Sequence, residues 1–172
     1  MITEEVRTHR EQVVLDHFRD EVAQEWDAVL STFPHPRYEI VPTETVHDGD
    51  AAVRGYYHDT RIAFPDQRHE MITLRHSNDA VIVEFYLLGT HLGPFGPVPP
   101  TGSTFKFRCT AFFVFDDDEL VTERVYFDQL TLIRQLLGGI DKRSPKGLMT
   151  LLKVLRGLAS VTGRPKDVIP AA

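Results

Sequence analysis

The chain is poor in the residues that mark secreted, zinc-binding or membrane-spanning proteins. Its 172 residues include one cysteine, Cys109, and a single thiol forms neither an internal disulfide nor a cysteine zinc cage. No apolar run approaches the roughly 18 residues of a membrane-spanning helix. The N-terminal residues are polar and acidic, unlike a secretory signal. We expect a cytoplasmic protein without membrane contact, in which Cys109 is a small buried hydrophobic residue.

Motifs that bind phosphates, metals or cofactors are also missing. There is no glycine-rich phosphate loop, no G-x-S-x-G turn and no H-E-x-x-H helix. The eight histidines include no pair spaced i, i+2 or i, i+4 that would form a local ligand set. The sequence therefore predicts neither a metal site nor a cofactor.

Charge is unevenly distributed along the chain. The net charge is −6, yet residues 141–172 hold seven Lys/Arg against two Asp, which leaves −11 on the first 140 residues. Contact with nucleic-acid phosphates needs a basic face. Nucleic acid is therefore not an expected partner of the acidic body.

Hydrophobic periodicity divides the first 138 residues into helices followed by strands. A helical period predicts two helices within 4–33 and one over 51–63, the last of them capped by Asp50. An alternating period then predicts strands, which follow a short strand at 38–42. These strands cover 68–76, 80–91, 103–115 and 119–127, before a short helix over 129–137. Segregated helices and strands indicate an α+β fold, in which helices on a curved antiparallel sheet enclose a pocket if side chains do not fill it.

The segment 139–172 reads as an addition to this domain. Ser144-Pro145 is a helix start signal, and a leucine stripe continues over 144–163. We expect an amphipathic helix that packs on its own domain or on a dimer partner. A basic helix of this kind on an anionic membrane is the weaker interpretation.

The last predicted strand carries the main candidates for chemistry. Arg124, Tyr126 and then Asp128 share one parity. If this face turns toward the helices, the three groups converge on the pocket, where burial raises a carboxylate pKa toward the range useful for proton transfer. Asp128 also directly precedes a helix and would cap it well. Both interpretations stay open.

Further polar candidates lie on the other elements. Glu84 and Tyr86 belong to an otherwise apolar strand, and a lone acid there should pair with Arg108 or Arg124. His91 ends that strand beside a loop rich in proline and glycine, where binding groups are common. One of Tyr56 and Tyr57 should reach the pocket while the other packs, and Tyr57 is our candidate.

Several segments resemble the SnoaL-like polyketide cyclases of the nuclear transport factor 2-like superfamily. The matching segments are Ala63-Phe64-Pro65-Asp66, EFYLLGTHLG from Glu84, Pro99-Pro100-Thr101-Gly102, and ERVYFD from Glu123 followed by Ile133-Arg134-Gln135-Leu136. The resemblance implies a cystatin-like cone of curved sheet wrapped by helices and a homodimer formed through the sheet. It also implies ring closure without metal or cofactor, with Asp128 at the position of the family's acid/base aspartate.

Three functions remain possible at this stage. The first is a cyclase or isomerase acting on a hydrophobic, polyketide-like carbonyl compound, with Asp128 as acid/base and His91 as a catalytic donor. Tyr57, Glu84, Tyr86, Arg124 and Tyr126 would then bind substrate. The second is an epoxide hydrolase built on Glu84, Arg124 and Asp128. The third is a non-catalytic protein that binds a hydrophobic small molecule.

Overall fold

The computed structural model describes residues 2–96 and 98–161, with side-chain surroundings up to residue 156. Two helices come first, α1 and α2, and a short hairpin, β1 and β2, is followed by helix α3. Four strands, β3 to β6, and two helices, α4 and α5, complete the chain. The bounds are α1 Glu4–Ala23, α2 Trp26–Ser31, β1 Arg37–Ile40, β2 Thr45–Asp48, α3 Asp50–Ala63, β3 Arg68–His76, β4 Ala80–Thr90, β5 Thr104–Asp116, β6 Glu119–Phe127, α4 Gln129–Gly138 and α5 Pro145–Val161.

The strands form one open, curved sheet in the order β2-β1-β6-β5-β4-β3. Strands β3 to β6 pair as an antiparallel meander. Strand β1 joins the meander in parallel to β6 and in antiparallel to β2. The long strand β5 lies near the middle, and its alternating residues are buried on one face and more exposed on the other. The predicted α+β fold with a meander is therefore confirmed.

One face of the sheet carries the hydrophobic core. Four phenylalanines of β5, at positions 105, 107, 113 and 115, point inward and belong to one core cluster with residues of α1, α2 and α3. Cys109 is in phase with them and is 2% exposed. Burial raises the pKa of its thiol to about 12, so Cys109 is the inert core residue that the sequence predicts.

Two details of the first half differ from the sequence-based prediction. Strand β2 was not expected. It forms because the chain turns back through a 3₁₀ turn at Val41–Thr43, which ends at Glu44 with a φ of 51°. Asp50 was expected to cap α3, but the cap position is Gly49, with a φ of 86° that glycine tolerates best. Asp50 instead lies in the first turn, where its charge favours the helix dipole.

Helix α5 confirms the predicted C-terminal helix over its described part, and residues 162–172 lie outside the described residues. Its packed side includes Val154, which is fully buried. Four apolar side chains of α5 are exposed on the single chain, so docking of the leucine stripe on a dimer partner stays a prediction: Leu148, Met149, Leu152 and Leu155. Within the described residues, no helix is long and apolar enough to cross a membrane.

Candidate functional site

A hydrogen-bonded polar cluster lies inside the curved sheet. Nε2 of His17, on α1, is 2.7 Å from the hydroxyl of Tyr38, on β1, and the Tyr38 hydroxyl bonds to that of Tyr57, on α3. The Thr32 hydroxyl donates to a backbone carbonyl and so accepts from Nδ1 of His17, 3.0 Å away. In the neutral imidazole, Nε2 then accepts from Tyr38.

The cluster is closed to solvent. His17 is 0% exposed, and Tyr38 and Tyr57 are 2% exposed. Burial, together with the charge of Glu123 beside Tyr38 and of Glu21 beside Tyr57, raises the pKa of both phenols well above the usual 10. Both phenols therefore stay protonated and act as hydrogen-bond donors. Oε2 of Glu123 lies 3.3 Å from Nε2 of His17, but without hydrogen-bond geometry.

A second buried group joins α1, α3 and β3. Arg61 donates to the backbone carbonyl of Glu21 at 2.8 Å and to that of Gln67 at 3.0 Å. Nε2 of His69 lies 3.6 Å from Oε1 of Glu21. Burial raises the pKa of the Glu21 carboxyl and lowers the pKa of His69 to about 3. These contacts connect α1 and α3 to β3 at the edge of the sheet.

An open cleft of about 610 Å³, called the larger cleft below, lies between α3, β2 and the loop that follows β4. Its volume is typical of ligand pockets. Three titratable groups line it: His47 from β2, and Tyr56 and Asp59 from α3. The rings of His47 and Tyr56 are 4.8 Å apart. Partial burial lowers the pKa of His47 from 6.5, although the Asp59 charge opposes this shift. Burial raises the pKa of Tyr56.

The arrangement of these groups suits proton transfer. A neutral imidazole can take a proton, and a phenol that stays protonated can donate to a developing oxyanion. Both groups are beside a cleft that a small molecule can enter. The polar cluster of His17, Tyr38 and Tyr57 is closed and cannot touch a ligand without rearrangement.

A smaller cavity of about 190 Å³ adjoins the larger cleft. Its walls are mainly apolar and come from β6, α4 and the same loop. Phe95 and Gly96 line both spaces. The loop tip therefore borders both spaces.

Asp128 lies at the start of α4 and is exposed. Its Oδ1 accepts from the backbone N–H of Leu130 at 2.9 Å, and its Oδ2 accepts from the Thr131 hydroxyl at 2.7 Å. These hydrogen bonds hold the pKa of the Asp128 carboxyl below its usual 3.8. Phe127 and Gln129 line the smaller cavity, but Asp128 lines neither space. The capping interpretation accounts for this geometry, and a catalytic role stays a prediction.

The face of β6 that carries Arg124 and Tyr126 does not turn toward the helices, so the condition for their convergence on the pocket is not met. Arg124 is hydrogen-bonded to Glu39 across β1 and β6, and Tyr126 packs against Phe112 with ring centroids 5.5 Å apart. Both lie on the outer face of the sheet, because Glu123, of opposite parity, faces the helices. Inward-facing Tyr38 and Glu123 fix this assignment.

Glu84 and Tyr86 lie on the same outer face. Glu84 forms an ion pair with Arg108 at 2.6 Å. Arg108 is one of the two partners that the sequence predicts for Glu84. Tyr86 lies under the ammonium of Lys106, 4.5 Å from the ring centroid. Arg124, Glu84 and Asp128 thus have separate partners, and no buried cluster for epoxide hydrolysis is assembled from them.

His91 is fully buried and links the loop to α4. Its Nδ1 bonds to the Thr101 hydroxyl, which donates to Ser103, and the Ser103 hydroxyl donates to the carbonyl of Leu136. Nδ1 is therefore the protonated nitrogen. Nε2 has no hydrogen-bond partner among the described residues, and burial lowers the pKa of His91. Its catalytic role stays a prediction, as does the substrate-binding role of Tyr57, which lies in the closed cluster.

Sequence reasoning missed His47 and Asp59. Neither stands in a recognisable motif, and they meet only because the unpredicted strand β2 places His47 beside α3. The buried Glu123 had a usable signal, since it shares parity with apolar Val125 and Phe127. For a metal, the described residues include no group of three or more His, Cys, Asp or Glu side chains placed to hold one.

A curved six-stranded sheet that wraps helices and opens at a cleft defines a nuclear transport factor 2-like fold. The family profile of the SnoaL-like polyketide cyclases matches residues 12–136. The chain therefore belongs to the SnoaL-like polyketide cyclase family. Membership in this family supports a cyclase or isomerase kind of function. No curated protein is similar enough in sequence to count as a relative.

Solved structures share this fold at low sequence identity. A protein described as a SnoaL-like polyketide cyclase from Jannaschia sp. CCS1 is 20% identical, with a TM-score of 0.72 over 79% of this chain and 96% of that one. A protein described as a polyketide cyclase from Xanthomonas campestris pv. campestris is 16% identical, with a TM-score of 0.70 over 76% and 98%. AclR from Streptomyces galilaeus, described as a hydroxylase, is 18% identical, with a TM-score of 0.65 over 89% and 96%.

Proposed function

We propose that this protein is a cofactor-independent cyclase or isomerase that moves protons on a hydrophobic carbonyl compound bound in the larger cleft. The observation that carries the proposal is the presence of His47, Tyr56 and Asp59 in the lining of one open space of about 610 Å³. Membership in a cyclase family supports the same kind of reaction.

The proposed proton transfers follow from the protonation state of each group. Nitrogen of the neutral His47 imidazole takes a proton from the carbon next to the substrate carbonyl, and the electron pair moves onto the carbonyl oxygen. The Tyr56 hydroxyl donates a hydrogen bond to that oxyanion, while the Asp59 carboxylate stabilises the imidazolium. In ring closure, the enolate carbon attacks a second carbonyl of the same molecule, and the new alkoxide recovers the proton from the imidazolium.

Asp128 is the rival base. The family resemblance favours it, but its carboxylate accepts hydrogen bonds from three donors of Leu130 and Thr131 at the start of α4 and lies outside both spaces. If Asp128 is the base, substrate must bind at the outer end of β6 instead of in the larger cleft. The two assignments therefore predict opposite results for single variants. If His47 is the base, substitution of His47 slows turnover and substitution of Asp128 does not; if Asp128 is the base, the reverse holds.

The test separates proton abstraction from ring closure. Apolar 1,5-diketones are incubated in D₂O, with exchange of the α-hydrogens followed by NMR and ring closure by mass spectrometry. We expect His47→Gln to slow exchange by about 10²–10⁴-fold, the usual contribution of a general base. His58→Gln, on the exposed side of α3, is the matched control and should exchange at the wild-type rate. Full exchange by a folded His47→Gln protein contradicts the role of His47.

A non-catalytic carrier of a hydrophobic small molecule is the second candidate. Two observations favour it: the interior of the sheet is filled by side chains such as Tyr57 and Phe113, and Asp128 is used by helix amides. In that case, the diketones bind the cleft with no exchange above the buffer rate, and native mass spectrometry of freshly purified protein detects a bound apolar molecule.

A further inference from the structure

The loop after β4 is fastened at its base to two helices. The backbone N–H groups of Leu92 and Gly93 donate to the carbonyl of Ala63 at the end of α3, at 2.9 and 3.2 Å. A Cβ on Gly93 would lie 2.0 Å from the carbonyl oxygen of Ile62. Only glycine therefore allows the loop to approach α3 this closely.

The other end of the loop is held by the His91 hydrogen-bond chain. The backbone N–H of His91 donates to the backbone carbonyl of Ser103, and the N–H of Gly102 donates to the backbone carbonyl of His91, each at 2.9 Å. The Ser103 side chain continues this chain to α4, where its hydroxyl also accepts from the N–H of Gly139 at 3.0 Å. With both ends attached, the loop base has a fixed position between α3 and α4.

The described residues of the loop tip are Phe95, Gly96 and Val98. Phe95 and Val98 exchange two backbone hydrogen bonds, of 2.9 and 3.0 Å. The Phe95 ring packs on Phe64 with a centroid distance of 5.0 Å. The tip therefore packs on a core aromatic residue, and Phe95 borders both the larger cleft and the smaller cavity.

The two spaces differ in chemistry. The larger cleft carries His47, Tyr56 and Asp59, whereas leucines and Phe127 dominate the smaller cavity. At about 190 Å³, the smaller cavity is below the volume of typical ligand pockets, roughly 300–1,000 Å³. It is suited to an apolar extension of a molecule whose carbonyl end occupies the larger cleft.

We infer that Phe95 is the residue that sets substrate length, by stopping the apolar end of a carbonyl substrate at the boundary between the two spaces. This inference rests on the proposed function, because it places the carbonyl end beside His47. The wild-type protein selects compounds that fit the larger cleft alone. Removal of the Phe95 ring joins the smaller cavity to the cleft and admits a longer apolar chain.

The test is a binding series, independent of turnover. Phenyl alkyl ketones from acetophenone to octanophenone are titrated by calorimetry into wild type, Phe95→Ala and Leu92→Ala. Leu92 is in the same loop, is 56% exposed and lines neither space, so it is the matched control. Each methylene that enters an apolar cavity strengthens binding about fourfold. We expect affinity to level off with chain length in wild type and Leu92→Ala, but to keep rising by at least tenfold in Phe95→Ala.

A double variant separates a joined cavity from a loosened loop. Ile133 lines the smaller cavity only, and Ile133→Phe should fill that cavity. The Phe95→Ala, Ile133→Phe protein should return to the wild-type length profile. Equal profiles in wild type and Phe95→Ala, or an unchanged gain in the double variant, overturn the length-setting role alone. Failure of every ketone to bind any of these proteins overturns the proposed function together with it.

Discussion

The carboxylate of Asp128 accepts a hydrogen bond of 2.7 Å from the hydroxyl of Thr131, one turn into α4. This pair, with the backbone amide of Leu130, is an N-cap that uses both carboxylate oxygens. Asp128, which matches the family's acid/base aspartate by resemblance, therefore caps helix α4 in this structure.

The cap predicts a difference between two substitutions of Asp128. Asparagine keeps a side-chain acceptor, whereas alanine removes it, so Asp128→Ala should lower the melting temperature by about 2–4 °C and Asp128→Asn by less. Thermal unfolding followed by circular dichroism checks this order. In the diketone exchange assay, Asp128→Asn should keep the wild-type rate. Loss of exchange by a folded Asp128→Asn protein would assign the base to Asp128 after all.

The pH profile of exchange should identify the base. The neutral imidazole of His47 is the active form, and its pKa lies below 6.5 because of partial burial. The rate should therefore be constant above pH 7 and fall about tenfold per pH unit below the pKa of His47. His47→Gln should lack this limb. A limb that appears only below pH 4 would instead point to Asp128, whose pKa is below 3.8.

His69 should make stability depend on pH in the acid range. Its pKa is about 3 in the folded protein, against 6.5 for the unperturbed side chain. Protons therefore bind preferentially to the unfolded chain, so stability present at pH 7 is lost as pH falls from 6.5 toward 3. The slope is at most about 1.4 kcal/mol per pH unit.

Urea titrations of wild type and His69→Gln between pH 7 and pH 4 measure this slope. The variant should lose less stability over that range, whatever its stability at pH 7. His58→Gln, at an exposed position, should retain the wild-type slope. Parallel curves for wild type and His69→Gln would exclude the predicted contribution of His69.

The outer face of the sheet provides a test of the homodimer that the family resemblance predicts. Tyr126 is 40% exposed there and packs on Phe112. If two copies associate through this face, Tyr126→Asp buries an unpaired charge and should weaken association by about 100-fold or more. Light scattering after size exclusion measures the mass. Leu130→Asp, at an exposed position on α4, should leave the mass unchanged, and a wild-type mass of one chain would refute the dimer.

Much of the fold could be predicted from periodicity, because long alternating segments such as β4 and β5 have few alternatives. The helices of the first quarter, the meander and the buried Cys109 followed in this way. Strand β2 could not be predicted, since Thr45–Asp48 is short and contains no apolar run. Its pairing with β1 depends on the 3₁₀ turn before it.

The candidate site was decided mainly by tertiary structure. Alternation in β6 assigned Arg124, Tyr126 and Asp128 to one parity, but both parities of this strand carry polar residues. The choice of inner face came from contacts of distant residues: Tyr38 and Glu123 approach His17 inside, while Glu39 holds Arg124 outside. His47, Tyr56 and Phe95 likewise meet only when β2, α3 and the loop pack together.

The sequence by itself determined the order of the helices and of every strand except β2, the absence of local metal and nucleotide motifs, and the family. Those properties depend on local spacing and on residue types. Only the tertiary structure decided which side chains share a cleft, because a two-residue period defines two faces of a sheet without stating which one the helices cover.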